Sequence, residues 1–427
     1  MKTYDIPYGD GALKVAIGSK NLKAVLAPDT KEGTSPTSEE QIVRRALETP
    51  IGQRRLCELA RNKRRITVIT SDHTRPVPSR LTLPILLNEI RSGNPDAEIT
   101  ILIATGLHRS PTEAEMRRMF GEAIVSRERI AVNDATRTED FVSMGKLPSG
   151  ADFLVNRLAA DCDLLVSEGF IEPHFFAGYS GGRKSILPGV CAQETINENH
   201  AYHAVANPNA TAGVLEGNPI HRDMLAAAKL VRLAFILNVV LNKEKRVIAA
   251  FAGDAEEAHA SGVAFVRSEA GREAVTGDIV IAGNSGYPLD QNLYQAPKSV
   301  ATAEACAGSD GAIILCAECR EGFGGENFKR LMLSGTPEEI DRLLGAISPK
   351  ETLSEQWSAQ IFARVLKKHK VVLVSTLPPE MVRQANMIPA ESLEKALEIV
   401  FALKGENAQV VLIPDGVSTL ILRKEHE

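Results

Sequence analysis

The sequence predicts an α/β protein with two domains and mainly parallel sheets. Its 427 residues are too many for one compact core. Short apolar runs rich in Val, Ile and Leu alternate with amphipathic helical segments, which is the pattern of parallel α/β folds. Polar and apolar residues barely alternate within these runs, as expected of strands that are covered on both faces. We therefore expect helices on both sides of each sheet.

Eight apolar runs are predicted strands, at residues 66–70, 99–104, 163–167, 235–240, 278–282, 311–316, 370–375 and 409–414. Three helix starts carry the capping-box pattern, beginning at Ser38, Ser110 and Thr336. At the second of these, Pro111 is expected in the first helical position.

The predicted domain boundary follows from a change in pattern along the chain. Residues 254–276 look helical and polar, and a new strand begins at Asp278. We expect an N-terminal cofactor-binding domain at residues 1–265 and a C-terminal domain at residues 266–427. The short apolar segment 420–422 could return to the first domain.

Composition argues against several classes of protein. The net charge of -5 gives no general attraction to nucleic acid or anionic membranes. No apolar run approaches the roughly 20 residues of a membrane span, and residues 1–5 lack a signal-peptide core. Six cysteines fit a reducing compartment. We therefore expect a cytoplasmic protein, with its oligomeric state left open.

Cys316 and Cys319 form a C-x-x-C pair. A structural zinc site would need a second pair of ligands at similar spacing, and the sequence has none. A redox pair is one interpretation. The preferred one is that Cys316 ends a buried strand and that Cys319 is incidental.

Polar side chains are concentrated directly after four of the predicted strands, at residues 71–78, 105–109, 168–174 and 283–290. Ligands of open α/β sheets bind outside the carboxyl ends of the strands. We therefore expect the four loops to converge on one active-site cleft between the domains.

Residues 178–185 resemble a phosphate-binding loop but depart from it at one position. Gly178, Lys184 and Ser185 match G-x-x-x-x-G-K-[ST], whereas Arg183 replaces the glycine that lets the backbone wrap a phosphate. No clear Walker-B aspartate follows, so a nucleotide triphosphatase is disfavoured. Exposed N–H groups at the adjacent glycines, together with Arg183 and Lys184, would suit an anion such as a nucleotide phosphate. A desolvated Lys184 could also act as a nucleophile.

Three of the nine histidines stand out by context. His108 and His174 lie in strand-end loops, where they could act as two proton-transfer bases. His200 is a candidate metal ligand, and the spacing of His200 and His203 is compatible with a two-histidine metal site. The absence of H-E-x-x-H disfavours a zinc hydrolase.

The remaining histidines have less informative surroundings. His259, His369 and His426 occur in polar segments and are predicted surface residues, whereas His203 and His221 are ambiguous.

Several motifs together carry a family resemblance. They are Asp72-His73-Thr74-Arg75-Pro76, Gly106-Leu107-His108-Arg109, Glu172-Pro173-His174-Phe175, the segment 181–189, His200, and Tyr294-Gln295-Ala296-Pro297-Lys298. In this order and spacing the chain resembles the nickel-dependent lactate racemase family over nearly its whole length.

The resemblance implies a nickel(II) pyridinium-3,5-bisthiocarboxylic acid mononucleotide-type pincer cofactor at the domain interface. By motif, Lys184 would link to it covalently and His200 would complete the nickel coordination. The remaining cofactor contacts would come from Asp72, His73, Thr74 and Arg75.

The resemblance also implies the catalytic residues. His108 and His174 would exchange the hydroxyl proton, one for each enantiomer, while the C2 hydrogen leaves as hydride and so avoids a carbanion beside a carboxylate. Gln295 and Lys298 would bind the substrate, and Arg75 and Lys298 would offset the carboxylate charge.

The expected function is therefore an isomerase that racemises or epimerises a small 2-hydroxy acid. Lactate is favoured because Phe176 and Tyr294 could enclose a small apolar group; malate, phenyl-substituted acids and sugar acids are alternatives.

A nucleotide-binding or nickel-carrier protein without turnover is the alternative of another class, and it would need neither His108 nor His174. Trp357 could line the pocket or serve packing. The expected partners are the substrate and cofactor-synthesis enzymes.

Overall fold

The computed structural model describes residues 2–28 and 37–422 of the chain. Within these residues lie two six-stranded sheets with helices packed on them, which confirms the predicted α/β fold with mainly parallel strands. Among the described residues, no helix combines the length and apolar character that a membrane span requires.

The strands of the described residues, numbered along the chain, are β1 (Lys2–Tyr8), β2 (Gly11–Ile17), β3 (Leu22–Val25), β4 (Arg65–Ser71), β5 (Glu98–Ala104), β6 (Arg129–Val132), β7 (Phe141–Lys146), β8 (Asp152–Asn156), β9 (Leu164–Phe170), β10 (Pro173–His174), β11 (Gly178–Tyr179), β12 (Leu233–Leu241), β13 (Val247–Gly253), β14 (Gly271–Glu273), β15 (Gly277–Gly283), β16 (Ala307–Cys316), β17 (Lys370–Val374), β18 (Ile388–Ala390), β19 (Val410–Ile413) and β20 (Leu420–Leu422). The helices are α1 (Glu39–Glu48), α2 (Leu56–Leu59), α3 (Ser79–Gly93), α4 (Glu113–Phe120), α5 (Glu122–Arg127), α6 (Arg157–Ala160), α7 (Gln193–Asn199), α8 (Tyr202–Val205), α9 (Pro219–Leu230), α10 (Glu257–Ala270), α11 (Pro297–Glu304), α12 (Glu326–Met332), α13 (Pro337–Gly345), α14 (Gln356–Leu366), α15 (Pro379–Gln384) and α16 (Leu393–Lys404).

The first sheet has the strand order β13-β12-β9-β4-β5-β6. Its strands are parallel except for β13, which forms an antiparallel hairpin with β12. The carboxyl ends of β4, β5 and β9 therefore lie along one edge, so the loops that follow them emerge side by side.

The second sheet has the strand order β18-β17-β16-β15-β19-β3, and all of its pairings are parallel. Its last strand, β3, comes from the N-terminal end of the chain. The β1–β2 hairpin adds Ile6 and Val15 to the apolar cluster on one face of this sheet. The N-terminal residues thus pack with the second sheet, and the boundary at residues 265/266 stays a prediction.

All eight strands expected from sequence are present as β4, β5, β9, β12, β15, β16, β17 and β19. They are almost wholly buried, which explains their continuous apolar sequences. The strands that were not predicted include β1, β2 and β7, whose residues are partly exposed and whose sequences mix polar and apolar side chains, and β13, which is apolar but only partly buried. Strand β9 also continues through residues 168–170, which the sequence assigned to a loop.

The two sheets share apolar packing. One buried cluster contains Ile69 and Leu165 from the first sheet and Ile313 and Leu373 from the second. The end of the chain adds to this packing, because Leu420 of β20, the strand that pairs in parallel with β14, is buried in a cluster with Ile171, Tyr179 and Val240. These contacts fix how the two halves face each other.

Two of the three expected capping boxes are confirmed, at Ser38 and Thr336. The one at Ser110 is wrong, because Thr112 is the N-cap of α4 and Pro111 precedes the helix. The Thr112 hydroxyl accepts from the Glu115 N–H at 3.2 Å, and the Glu115 carboxylate accepts from the Thr112 N–H at 2.8 Å. Thr112 and Glu115, which are also three positions apart, therefore form the capping box in place of the predicted pair, Ser110 and Glu113.

We expect Thr112→Ala to lower the free energy of unfolding by about 1 kcal/mol, because the first turn of α4 loses its cap. Ser110→Ala is the matched control and should change it by no more than about 0.5 kcal/mol. Urea unfolding measures the free energy, and amide hydrogen exchange at Glu115 reports local opening. Equal effects of the two substitutions on both measurements would contradict this assignment.

Candidate active site

A cavity of about 230 Å³ lies between the two halves of the molecule. One wall is formed by the carboxyl ends of β4, β5 and β9 and the loops after them. The other is formed by the start of α11 and by α14. This is the interdomain position that the sequence predicts for the site.

Most of the predicted site residues line this cavity: Asp72, Arg75, His108, His174, Lys184, His200, Gln295 and Lys298. His73 and Thr74 are not among the lining residues, although Thr74 supports two of them. Trp357, whose role the sequence left open, is part of the wall.

The expectation that residues 283–290 join the other strand-end loops is wrong. Hydrogen bonds hold this loop within its own half of the molecule. The side-chain amide of Asn284 donates to the Leu289 carbonyl at 2.6 Å, and the carboxylate of Asp290 accepts from the Gly9 N–H at 2.7 Å. The turn after β19 lines the cavity instead, through residues 416, 417 and 419. Its small, weakly polar residues gave no signal in the sequence.

His108 is paired with a buried carboxylate. Its Nδ1 lies 2.7 Å from Oδ2 of Asp72, and the Asp72 side chain is 2% exposed while that of His108 is 43% exposed. The other carboxylate oxygen accepts from the N–H of Thr74 at 2.8 Å and from its hydroxyl. Burial opposes ionisation of Asp72, but the His108 hydrogen bond, the charges of His108 and Arg75, and the Thr74 hydroxyl together lower its pKa. The pair can therefore orient His108 and leave its Nε2 available.

His174 has a different environment, with no carboxylate partner among the described residues. Its Nδ1 accepts from the Ala177 N–H at 3.2 Å, and its ring stacks on Phe175 with centroids 5.0 Å apart. Burial, followed by the positive charges of Lys184 and Lys298, holds the His174 pKa well below its usual value. The neutral form of this imidazole is therefore strongly favoured.

Lys184 lies in a short 3-10 turn, residues 182–185. The turn begins at Gly182, directly after Gly181, and both glycines have positive φ. At Gly181 a Cβ would come within 2.7 Å of the Asn238 side chain, so a larger residue would disturb the turn. Burial, followed by the charges of Arg75 and Arg183, places the Lys184 pKa well below its ordinary value. An uncharged amine is a nucleophile.

Two features of this turn differ from the sequence expectation of an anion-binding loop. The N–H of Gly182 donates to Asn238 Oδ1 at 2.7 Å and that of Lys184 donates to the Gly181 carbonyl at 3.1 Å, so neither is available to a ligand. Arg183 is 2% exposed and points into the protein, where it contacts His221 and His259.

His200 follows α7 and is 5% exposed. Its ring lies edge-on to Phe176 and Trp357, at centroid distances of 5.0 and 5.1 Å. Burial, and then the charge of Lys184, lowers its pKa to about 3. Its buried Nδ1 has no hydrogen-bond partner within the described residues. His203 is exposed and does not line the cavity, so the two-histidine metal site is not formed.

Lys298 lies in the first turn of α11 and faces the cavity from the second half of the molecule. Burial lowers its pKa, the negative charge of Glu172 opposes that effect, and Arg75 adds to it. Glu172, whose chemistry the sequence did not single out, also lines the cavity and acts on Lys184 in the same direction.

Buried side chains outside the cavity correct two further expectations and bear on a third. His259 is 4% exposed and His369 is 6% exposed, so both surface assignments are wrong; His426 lies outside the described residues. Cys316 ends β16 as preferred, and burial raises its pKa to about 12. Burial also raises the pKa of Cys319, and both are free thiols, which argues against a reactive redox pair.

Comparison with known families assigns both halves of the chain. Residues 8–213 match the model of the lactate racemase N-terminal domain, and residues 272–421 match that of the lactate racemase C-terminal domain.

Similar proteins extend over the full length. The chain is 47% identical over 426 residues to a lactate racemase from Thermoanaerobacterium thermosaccharolyticum and 44% identical over 424 residues to one from Lactiplantibacillus plantarum, covering 99% of this chain and 100% of each relative. The solved lactate racemase apoprotein from T. thermosaccharolyticum superposes with a TM-score of 0.95 at 47% identity, covering 99% of this chain and 100% of that one. A Thermotoga maritima protein shares the fold alone, with a TM-score of 0.66 at 18% identity over 92% of this chain and 99% of that one. The chain therefore belongs to the lactate racemase family and is an isomerase.

Proposed function

We propose that this chain racemises a small 2-hydroxy acid, with lactate as the favoured substrate. The observation that carries the proposal is the placement of His108 and His174 in one cavity with two cations, Arg75 and Lys298. A racemase must exchange a proton with a hydroxyl that occupies two different positions in the two enantiomers, and two histidines provide one group for each.

The two histidines are prepared differently for this task. The Asp72 carboxylate holds the Nδ1–H of His108, so its Nε2 can accept the substrate hydroxyl proton and the carboxylate can stabilise the resulting imidazolium. His174 is kept neutral by burial and by nearby cations. Transfer of the hydroxyl proton together with departure of the C2 hydrogen as hydride avoids a carbanion next to the carboxylate.

The residues present fit a nickel pincer cofactor of the pyridinium mononucleotide type. Lys184 offers an amine for a covalent link, and buried His200 offers an Nδ1 that has no hydrogen-bond partner within the described residues. Within the described residues, no group of three His, Cys, Asp or Glu side chains is suited to hold a metal alone, so further donors would come from the cofactor. When bound, the cofactor supplies an electron-poor ring that can accept the C2 hydrogen with its electron pair. Loading it requires cofactor-synthesis enzymes as partners.

The substrate carboxylate fits between Arg75 and Lys298, with Gln295 as a further polar contact. Two cations facing one cavity favour an anion and hold its orientation. Phe176 and Tyr294 line the same cavity, and their bulk favours a methyl group over a larger side chain. A carrier protein without turnover would not need the Asp72–His108 pair.

The two histidines should be separately essential for turnover. We expect His108→Ala and His174→Ala each to lower kcat by about 10²–10⁴-fold, the usual contribution of a positioned acid/base group. The chain should be produced with cofactor-synthesis enzymes, and conversion of L- and D-lactate should be followed by chiral chromatography.

His203→Ala is the matched control, because His203 is an exposed histidine outside the cavity, and it should retain full activity. Bound nickel should be unchanged in all three variants. Full racemase activity in both cavity variants would rule out the two-histidine mechanism. Parallel assays of malate and a phenyl-substituted 2-hydroxy acid test the preference for lactate.

The two proposed cofactor anchors should fail in different ways. In Lys184→Ala the denatured chain should lack the added mass of a covalent cofactor, because the amine is absent. In His200→Ala the added mass should remain while bound nickel falls, because one metal ligand is lost. Intact-mass spectrometry and elemental analysis measure the two quantities.

Lys298→Ala is the control from the opposite wall of the cavity; it should keep both cofactor mass and nickel while raising KM for lactate. A covalent adduct that persists in Lys184→Ala would show that another residue forms the link.

A further inference from the structure

Arg183 has surroundings that are unusual for a charged residue. It is the largest side chain among those that are fully buried, at 2% exposure. Its Nε donates to Nδ1 of His221 at 3.0 Å, and its terminal nitrogens contact Nε2 of His259 at 3.0 Å and the Ala177 carbonyl at 2.8 Å. Longer contacts reach the carbonyls of residues 180 and 181, at 3.5 and 3.3 Å. Within the described residues no carboxylate pairs with it.

The cluster around Arg183 therefore carries a net positive charge. Burial lowers the pKa of Arg183 to about 9, which leaves the guanidinium protonated at neutral pH. Burial, and then the charge of Arg183, lowers the pKa of His221 to about 4 and that of His259 to about 3, so both rings are neutral. A buried charge without a counter-ion is costly and is uncommon unless it serves a purpose.

The residue next in sequence is Lys184, whose side chain turns to the cavity. Within the described residues its amine makes no hydrogen bond and no ion pair. The carbonyls of this segment already accept other hydrogen bonds: that of Ala177 accepts from Arg183 at 2.8 Å, that of Ser180 lies 2.8 Å from Nε2 of His259, and that of Gly181 accepts from the Lys184 backbone N–H at 3.1 Å. The charged groups that act on the amine from the other walls are Arg75 and Lys298, with Glu172 as the opposing negative charge.

We propose that Arg183 is a positioning residue for Lys184: its buried charge, which no carboxylate among the described residues offsets, leaves the adjacent amine free and nucleophilic. This inference rests on the proposed function in one respect, since it gives Lys184 the anchoring role. This role also accounts for Arg183 at the position where a phosphate-binding loop would have a glycine. It also explains why a buried arginine without a carboxylate is placed directly beside a lysine.

The test measures Lys184 reactivity in the full chain produced without cofactor. Brief labelling with acetic anhydride from pH 6 to 10, followed by peptide mass spectrometry, gives the labelling rate of Lys184, with exposed Lys20 as an internal reference. In Arg183→Met the Lys184 rate at pH 7 should fall about tenfold relative to the wild-type chain, which corresponds to a midpoint about one pH unit higher. Arg183→Lys, which keeps the charge, should stay closer to the wild type. At high pH the amine is uncharged in every variant, so the plateau rate there reports how accessible Lys184 is to the reagent. A difference that remains at pH 7 after this correction reports the charge of the amine.

A second pair of variants leaves Arg183 in place. His221→Glu adds a carboxylate beside the guanidinium and should lower the Lys184 rate at pH 7 by a similar factor, whereas His221→Gln should not. An unchanged profile in Arg183→Met, or equal profiles for the two His221 variants, would overturn the inference; if Arg183→Met does not fold, the His221 pair decides. Because the chain carries no cofactor here, such a failure leaves the racemase proposal intact, and that proposal fails only with the activity and mass measurements.

Discussion

The burial of cationic side chains around one cavity governs the properties of this site. Arg75, Lys184 and Lys298 line a space of about 230 Å³, and Arg183 lies beneath it. Burial lowers the pKa of both lysines, and the charge of Arg75 adds to that effect. Burial, and then the charges of Lys184, Lys298 and Arg75, keep the imidazole of His174 neutral. An anionic ligand would offset the charges of these side chains, so they favour anionic ligands over neutral molecules.

The fold creates this concentration of charge by bringing distant segments together. Strands β4, β5 and β9 deliver Asp72, His108 and His174 at one edge of the first sheet, and α11 presents Lys298 from the second half. Neither half encloses the cavity alone. Shared apolar packing, to which the buried Leu420 contributes, holds the two walls opposite each other, so that groups on both can act on one small ligand.

The sequence predicted the elements that depend on local pattern. Strands buried on both faces have continuous apolar sequences, and the residues that follow β4, β5 and β9 could be placed at one edge because parallel strands end there. What it could not predict depends on contacts between distant residues. Nothing near Arg183 or His259 reveals that they meet across 76 positions of sequence. The loop at residues 283–290 is likewise removed from the cavity by its bonds to its own half and to Gly9.

The central claim is that the histidines act on the hydroxyl oxygen of the substrate and not at C2. Racemisation of L-lactate carrying deuterium at C2, in ordinary water, tests this most directly. Nuclear magnetic resonance of the separated enantiomers measures the label. Deuterium should be retained in the D-lactate formed, because only the hydroxyl proton exchanges through His108 and His174. Loss of the label to solvent at the rate of racemisation would show that a histidine removes the C2 proton, which would contradict the account.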